Sequence, residues 1–340
     1  MSGAAGLLEV SHLTVTYRRG RRRPPLTALR DVSLAIGAGE TVALVGESGS
    51  GKSTLGNAIL GLVRPAAGAI TFGGQDITHA GPRTRRALTR EIQAVFQDPY
   101  GSLNPVRTVG QTLTEPLRAH GAAGGPAAAA RVAAALERVG LSPGAARMYP
   151  GQFSGGQRQR IAIARALMLS PRLIICDEPF SALDLSVQAQ ALSLLAELQR
   201  DLAVSYLFIT HDLAIVPHLA HRVAVLYRGR VMESGPALQV GADPGHPYTR
   251  ALIAAAPVPD PALQRARRRA WQPGAVSSAV PADGCVFAPR CPSAAAPCAH
   301  GEPATFTTPA GGSVACRRYP ELNAEAPRPR PSAPTRLESR

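Results

Sequence analysis

Aromatic residues are scarce in this sequence of 340 residues, where Phe, Tyr and Trp together make up 4%. Long apolar runs are also missing: the longest, such as residues 173–176 and 222–227, are of strand length and fall well short of the roughly 18 residues of a membrane-spanning helix. The N-terminus shows no basic segment followed by an apolar one, as a secretory signal would. We therefore expect no membrane-spanning segment and a cytoplasmic site of action.

Acidic residues are too few to balance the basic ones. The chain has 23 Asp and Glu against 37 Lys and Arg, for a formal net charge of +14. Arginine clusters at residues 18–23, 83–90 and 265–269 could bind nucleic acid or an anionic membrane surface. However, no aromatic residues alternate with these clusters to stack on bases. We therefore expect a solvated basic surface and no nucleic-acid partner.

The pattern of apolar residues indicates the fold class. Residues 7–17 and 28–36 alternate apolar and polar side chains and predict antiparallel strands. Residues 41–45 are an almost continuous apolar run, which is typical of a strand buried on both faces of a parallel sheet. Helices are predicted from Lys52 and over residues 187–202, between further buried strands. Strands that alternate with helices predict an α/β fold with a wound parallel sheet.

Changes in composition suggest the domain boundaries. Proline and alanine become frequent after Gly235, so we predict a main domain over residues 1–235 and an extension over 236–322. Within the main domain, a helical subdomain is predicted at about residues 100–170, interrupted by a loose connection at 120–130. Residues 323–340 alternate proline with charged and small residues, which predicts a disordered tail.

A glycine-rich segment follows the predicted strand at 41–45. Residues 46–53 read Gly-Glu-Ser-Gly-Ser-Gly-Lys-Ser, which fits a phosphate-binding loop between a strand and a helix. Its backbone N–H groups can bind phosphate, Lys52 can reach the outer phosphates, and Ser53 can ligate Mg²⁺. A chance glycine-rich turn would not explain the flanking strand and helix. The candidate nucleotide-binding residues are Gly46, Ser48, Gly49, Ser50, Gly51, Lys52, Ser53 and Thr54.

Three polar residues follow two other predicted strands. Asp177 and Glu178 come after the apolar residues 173–176; Asp177 is suited to hold Mg²⁺, and Glu178 can orient or deprotonate an attacking water. His211 follows the strand at 206–209, whose C-terminal end would carry it to the same crevice. An acidic pair is often only a strand terminus and a lone histidine is usually structural. The glycine-rich loop makes both functional candidates.

A second glycine pair opens another predicted helix. Ser154, Gly155, Gly156 and Gln157 precede a helix over 158–169 and leave backbone N–H groups open to an anion. A chain with one complete phosphate-binding loop does not need a second helix start for the same nucleotide. We therefore predict that this segment serves a nucleotide held by another subunit.

Together these motifs resemble the nucleotide-binding domain of ABC transporters over residues 8 to about 235. The resemblance implies a P-loop NTPase with a parallel core sheet, an antiparallel edge sheet and a helical subdomain. It implies an ATPase that uses ATP and Mg²⁺, and a head-to-tail dimer with an identical or related subunit. It further implies two transmembrane permease subunits, with this chain as a peripheral protein at the cytoplasmic face of the plasma membrane.

The same resemblance assigns roles to single residues. Tyr17 would stack on adenine, Gln97 would contact Mg²⁺ and sense the permease, and His211 would contact the γ-phosphate. Asp184 belongs to a segment, 181–184, that would communicate between the two nucleotide sites. For Tyr17 and Gln97 a purely structural role stays open. The matched catalytic residues, which argue against a non-hydrolysing site, are Glu178, His211 and Gln97.

Two distant segments resemble oligopeptide and dipeptide importers. They are residues 96–105, Phe-Gln-Asp-Pro-Tyr-Gly-Ser-Leu-Asn-Pro, and residues 245–252, Gly-His-Pro-Tyr-Thr-Arg-Ala-Leu. The resemblance implies uptake of a peptide or related small solute delivered by an extracytoplasmic solute-binding protein. The alternatives are a soluble ABC ATPase acting on nucleic acid or ribosomes and a non-catalytic ATP-binding partner. The former usually carries paired cassettes or a long coiled-coil insertion, and neither is present.

Four of the five cysteines cluster in the last quarter of the chain. Their spacing lacks the C-x-x-C pairs typical of structural zinc, and disulfides are not expected in a reducing cytoplasm. Some peptide importers carry a [4Fe-4S] cluster on a similar pattern, for which four thiolates are the ligand set. We predict such a cluster, with zinc as the alternative. The ligands would be Cys285, Cys291, Cys298 and Cys316.

Overall fold

The computed structural model describes most of the chain. The described residues are 6–18, 20, 24–97, 101–121, 124–181, 183–256, 260, 262, 265 and 283–325. Most of the predicted disordered tail and residues 98–100 of the importer-like segment lie outside this set. The described part contains no helix with the combined length and hydropathy that crossing a membrane requires.

Strands and helices alternate along the chain. The strands are β1 (Leu8–Tyr17), β2 (Leu26–Ile36), β3 (Thr41–Val45), β4 (Ala67–Phe72), β5 (Gln75–Asp76), β6 (Ile92–Val95), β7 (Leu173–Asp177), β8 (Ser205–Thr210), β9 (Arg222–Tyr227), β10 (Arg230–Pro236), β11 (Thr305–Thr307) and β12 (Ser313–Ala315). The helices are α1 (Lys52–Leu60), α2 (Pro82–Leu88), α3 (Val109–Ala119), α4 (Pro126–Arg138), α5 (Gly155–Leu167), α6 (Leu185–Leu202), α7 (Ala237–Ala242), α8 (Pro247–Ala255) and α9 (Tyr319–Glu325).

The main sheet has the strand order β11-β12-β10-β9-β3-β8-β7-β6. Its centre is parallel: β3 pairs with β8 and β9, and β7 pairs with β6 and β8. Every residue of β3 is buried, as the apolar run at 41–45 predicts for a strand covered on both faces. This parallel centre confirms the predicted α/β fold class.

A second, antiparallel sheet has the order β2-β1-β4-β5. The pairing of β1 with β2 confirms that the alternating segments form antiparallel strands. A buried cluster joins this sheet to α1 and to one face of the main sheet, with Leu8, Leu29, Leu55 and Ile209 among its members. This packing holds the end of β1 close to the start of α1.

The helices between β6 and β7 cover the opposite face of the main sheet. Val109, Leu136 and Ile161 from α3, α4 and α5 share a buried cluster with Ile174 and Phe208 of the sheet. The loose connection expected at 120–130 is shorter than predicted, because α4 already begins at Pro126. Proline is tolerated in the first turn of a helix, where its missing N–H would have no partner.

The extension continues the main sheet. Strand β12 pairs antiparallel with β10 through Glu233 opposite Val314 and Ser234 opposite Ser313. The boundary expected after Gly235 therefore falls inside β10, since composition changes there while the strand continues. At the other end, α9 extends to Glu325, so residues 323–325 of the expected tail are helical.

Candidate functional site

The loop at 46–53 leaves the end of β3, where close backbone contacts require glycine. A Cβ atom on Gly46 would lie 2.1 Å from the carbonyl oxygen of Leu226. Gly51, at the start of α1, has a φ of 111°, and a Cβ there would lie 2.7 Å from the carbonyl oxygen of Ala28. The buried Ser50 hydroxyl has no hydrogen-bond partner among the described residues. The loop thus presents backbone N–H groups and one unpaired hydroxyl.

Lys52 is the single lysine of the chain, and it lies at the centre of this loop. Its side chain is only 4% exposed. The Nζ atom donates to the carbonyl oxygens of Gly46 at 2.8 Å and Glu47 at 3.0 Å, and it lies 3.4 Å from Oε1 of Glu178. A buried ammonium group needs such partners to offset its desolvation. The contact with Glu178 connects the loop to the end of β7.

The hydroxyl of Ser53 and the carboxylate of Asp177 lie side by side, and we call them the oxygen pair. Ser53 Oγ donates to Oδ1 of Asp177 at 3.1 Å. Burial raises the pKa of Asp177, and the nearby charge of Glu178 also raises it, whereas the bond from Ser53 lowers it. Hydroxyl and carboxylate oxygens are the hard ligands that Mg²⁺ prefers, so the donor set fits this ion.

Glu178 connects the ends of β7 and β8. Its Oε2 lies 3.3 Å from Nδ1 of His211, while its backbone N–H donates to the carbonyl oxygen of Ile209 at 3.0 Å. The backbone of Glu178 has a φ of 45°, in the left-handed region that non-glycine residues rarely adopt. Such strain concentrates at functional sites, where it aims a side chain. A pocket opens beside this pair, lined by residues that include Phe180, Ser181, Gln188, Thr210 and Asp212.

Two of the predicted residues lie at the edges of this site. The Tyr17 hydroxyl donates to Thr54 Oγ1 at 3.4 Å, which brings the end of β1 to the first turn of α1. Gln97 is exposed just after β6. Within the described residues, it makes no hydrogen bond to Ser53 or Asp177, so the structure does not bring it into the oxygen pair.

The segment 154–157 is organised by its own helix start. Ser154 Oγ accepts from the N–H of Gln157 at 3.3 Å, and the Gln157 side chain accepts from the N–H of Ser154 at 3.0 Å. This reciprocal capping box begins α5. No hydrogen bond or ion pair in the described part of the chain joins residues 154–157 to 46–53. Within this chain, the two candidate phosphate-binding segments are not linked by polar contacts.

Asp184 also acts as a helix cap. Its Oδ1 accepts hydrogen bonds from the N–H groups of Ser186 at 3.1 Å and Val187 at 2.9 Å, at the start of α6. These bonds lower the pKa of Asp184. The Val187 side chain lies so close to Gly156 that a Cβ there would be 2.5 Å from it. The structure therefore packs the first turn of α6, which Asp184 caps, against Gly156.

Two residues of the extension contact the glycine-rich loop, which the sequence did not predict. The hydroxyl of Tyr248 accepts from the backbone N–H of Glu47 at 3.0 Å. The guanidinium group of Arg290 donates to both carboxylate oxygens of Glu47, at 2.9 and 3.0 Å. These hydrogen bonds raise the pKa of Arg290 above its usual range. Because 201 and 243 residues separate the partners, no local pattern marks these contacts.

The four clustered cysteines line one pocket of the extension. Burial raises the pKa of the Cys285, Cys291 and Cys316 thiols, with that of Cys291 at about 12. The described residues contain no group of three or more His, Cys, Asp or Glu side chains that could hold a metal ion. The four thiols thus share one pocket of the extension.

Two family models match the chain. Residues 29–181 match the model described as ABC transporter. Residues 232–298 match the model described as the C-terminal region of oligopeptide/dipeptide transporters. The second match covers most of β10, all of α7 and α8 and the first three clustered cysteines, so it agrees with the importer-like segment at 245–252.

Curated relatives are similar over most of the chain. The glutathione import ATP-binding protein GsiA of Escherichia coli is 55% identical over 241 residues, which is 71% of this chain but only 39% of that protein. The chain thus spans well under half the length of GsiA. The probable peptide ABC transporter ATP-binding protein y4tS of Sinorhizobium fredii is 49% identical over 294 residues, covering 86% of this chain and 83% of that protein.

Solved structures share the fold. The cassette MJ0796 in a dimeric post-hydrolysis state with ADP and Pi aligns with a TM-score of 0.61 at 31% identity, over 68% of this chain and 98% of that one. The protein cbiO1 from Clostridium perfringens, described as part of the ABC transporter complex cbiONQ, aligns with a TM-score of 0.63 at 31% identity, over 70% of this chain and 91% of that one. The chain therefore belongs to the ABC transporter ATP-binding protein family.

Proposed function

We propose that this chain binds MgATP at residues 46–53, hydrolyses it, and thereby drives an importer of peptides or a related small solute. One observation carries the proposal. The ends of three strands bring a buried ammonium group, an oxygen pair and a carboxylate-histidine pair into contact, each step spanning 3.4 Å or less. This is the set of groups that phosphoryl transfer to water needs, because the reaction depends on positioning and on stabilising charge.

The proposed roles follow from the chemistry of each group. Lys52 and the loop N–H groups bind the phosphates. Tyr17 stacks on the adenine, and Thr54 binds the nucleotide from the first turn of α1. Ser53 and Asp177 hold Mg²⁺, joined by Gln97 once nucleotide is bound; the ion supplies charge stabilisation to the phosphates. Glu178 accepts the proton of the attacking water, and His211, 3.3 Å from it, contacts the γ-phosphate.

A second ATP-binding subunit completes the site in this proposal. The exposed segment 154–157 presents a helix start with no polar link to the loop of its own chain, which supports a role toward the nucleotide of a companion. Asp184, which caps the helix whose first turn contacts Gly156, would couple the two sites. The solved cassette MJ0796, described as dimeric, is consistent with such a pair.

The remaining partners are proposed from the relatives. GsiA and y4tS are named as import and peptide-transporter ATP-binding proteins, which favours an importer over the nucleic-acid alternative. We propose two transmembrane permease subunits and an extracytoplasmic solute-binding protein as partners, with this chain at the cytoplasmic face of the plasma membrane. The proposed cargo is a peptide or a related small solute, since the match to the oligopeptide/dipeptide C-terminal region covers residues 236–298 of the extension.

The function is tested by assaying the purified chain for hydrolysis. We expect release of phosphate from ATP that requires Mg²⁺ and that duplex DNA does not stimulate. Reconstitution with its permease and a peptide-loaded binding protein should raise the rate and drive peptide uptake into vesicles. DNA-stimulated hydrolysis together with salt-sensitive DNA binding would instead support the nucleic-acid alternative.

We also propose that the cysteine pocket holds a [4Fe-4S] cluster. Four thiols lining one pocket support a polynuclear group, whose iron atoms separate its ligands more widely than a single ion does. Bound there, it would cross-link an extension that has little core of its own. Zinc is the alternative occupant of this pocket.

A bound [4Fe-4S] cluster should colour the purified protein. Protein purified without oxygen should be brown with broad visible absorbance, and Cys298→Ser should lose most of that absorbance. Cys176→Ala is the matched control, because Cys176 is buried in β7 and does not line the pocket; it should keep the colour. Colourless protein with one zinc per chain would contradict the cluster and support the zinc alternative.

A further inference from the structure

Two residues of the extension form hydrogen bonds with Glu47 of the phosphate-binding loop. Glu47 gives its backbone N–H to the hydroxyl of Tyr248 and its carboxylate to the guanidinium of Arg290. Its carbonyl oxygen meanwhile accepts from Lys52. All three groups of Glu47 that can form hydrogen bonds are therefore engaged, two of them by the extension. The backbone of the loop next to Lys52 is thus fixed partly by residues outside the cassette motifs.

The two extension residues are themselves rigidly placed. Tyr248 and Phe287 are buried and pack with Tyr227 of β9, with ring centroids 4.5 to 5.4 Å apart. The Arg290 guanidinium lies 5.8 Å from the ring centroids of both Tyr227 and Phe287, and it donates to the Tyr227 hydroxyl at 3.4 Å. A planar guanidinium held in this way forms a bidentate pair with little further loss of entropy.

The pair has an electrostatic consequence for the nucleotide. Glu47 carries a negative charge one residue after Gly46 in a loop that binds a polyanion. Unneutralised, that carboxylate would repel the phosphates, and at the dielectric of a protein surface this repulsion extends over several ångströms. Arg290 compensates the charge directly through two hydrogen bonds. Its removal should therefore weaken phosphate binding without any contact to the phosphate being lost.

Arg290 also connects the loop to the cysteine-bearing segment. It ends the short 3₁₀ turn Ala288–Arg290, which lies between Cys285 and Cys291. The carbonyl of Cys285 accepts from Ala288 at 3.0 Å, and the N–H of Cys291 donates to Ala288 at 3.2 Å. The position of the guanidinium thus depends on how the segment 285–291 is folded. Coupling between this segment and the nucleotide would be reciprocal.

We propose that Arg290 is a positioning residue for MgATP binding, which holds and neutralises Glu47 and so makes nucleotide affinity depend on the extension. This inference rests on the proposed binding of MgATP at residues 46–53. It adds to that function a residue that affects nucleotide affinity from outside the cassette motifs. The guanidinium that compensates the charge of Glu47 belongs to the extension.

The test is a double-mutant cycle on the full chain, read out as the equilibrium Kd for MgATP. We expect Arg290→Ala to weaken binding about fivefold, at the low end of couplings between sites. Combining Glu47→Gln with Arg290→Ala removes the uncompensated carboxylate charge. The Kd of the double variant for MgATP should therefore lie within about twofold of the Kd of the Glu47→Gln variant. Arg290→Lys keeps the charge and should lose less than Arg290→Ala.

The matched control is Arg222→Ala. The side chains of Arg222 and Arg290 are equally exposed, at 43%. Arg222 forms an ion pair at 3.3 Å with Glu40, which precedes β3, whereas the partner of Arg290, Glu47, follows β3. This variant should bind MgATP as the wild type does. Binding by Arg290→Ala equal to the wild type, or a double variant as weak as Arg290→Ala, would overturn the inference. A wild type that binds no MgATP would instead refute the proposed function itself.

Discussion

Replacing Glu178 by glutamine is expected to lower ATP turnover at least about 100-fold while MgATP binding is kept. Glutamine has the same shape and can still meet Lys52 and His211, but it cannot accept the proton of an attacking water. General base catalysis contributes roughly 10²- to 10⁴-fold, which sets the expected loss. Phosphate release and equilibrium nucleotide binding, measured on the same preparation, would separate the two effects.

Glu197→Gln provides the matched control for this variant. Glu197 lies on the exposed face of α6, so the same chemical change there should leave turnover unchanged. If Glu178→Gln hydrolysed ATP at the wild-type rate, Glu178 would be removed from the mechanism. The position of its side chain, 3.4 Å from Lys52 and 3.3 Å from His211, would then need another explanation.

Replacing Lys52 by alanine should weaken MgATP binding about 100-fold. The variant removes the buried ammonium group, and charge-assisted hydrogen bonds contribute about 1.5 to 3 kcal/mol each. It also leaves the Glu178 carboxylate without its cationic neighbour. Unfolding should be followed in parallel, since an unchanged melting curve together with weak binding assigns the effect to the nucleotide site.

The composition of the chain offers a second measurement on the same residue. Since Lys52 is the only lysine among these 340 residues, acylation of a lysine side chain within them reports on Lys52 alone. Saturating MgATP should slow acylation of Lys52 at least about tenfold and leave the N-terminal amine unaffected. Equal rates with and without MgATP would contradict contact between Lys52 and the phosphates.

The parts of the site that were predicted are those with local patterns. The loop at 46–53 is contiguous, and its function follows from a strand before it and a helix after it. Asp177 and His211 were predicted because parallel strands place their C-terminal ends at one edge of the sheet. The contacts Ser53–Asp177 and His211–Glu178 then follow from the strand order β3-β8-β7.

The parts that could not be predicted join distant residues. Pairing of β12 with β10 connects residues about 80 positions apart, and neither three-residue strand β11 nor β12 is long enough to show a period. The contacts of Tyr248 and Arg290 with Glu47 depend on how the described residues of the extension pack against β9. Composition placed a boundary at Gly235, although the sheet continues through it. Pairing between distant strands cannot be recognised from the pattern of residues within a short stretch of sequence.

The central claim, that residues 46–53 bind MgATP, is tested most directly by titrating ATP into the purified Glu178→Gln chain with and without Mg²⁺. We expect one ATP per chain, bound only when Mg²⁺ is present. An absence of Mg²⁺-dependent ATP binding by folded protein would contradict the claim.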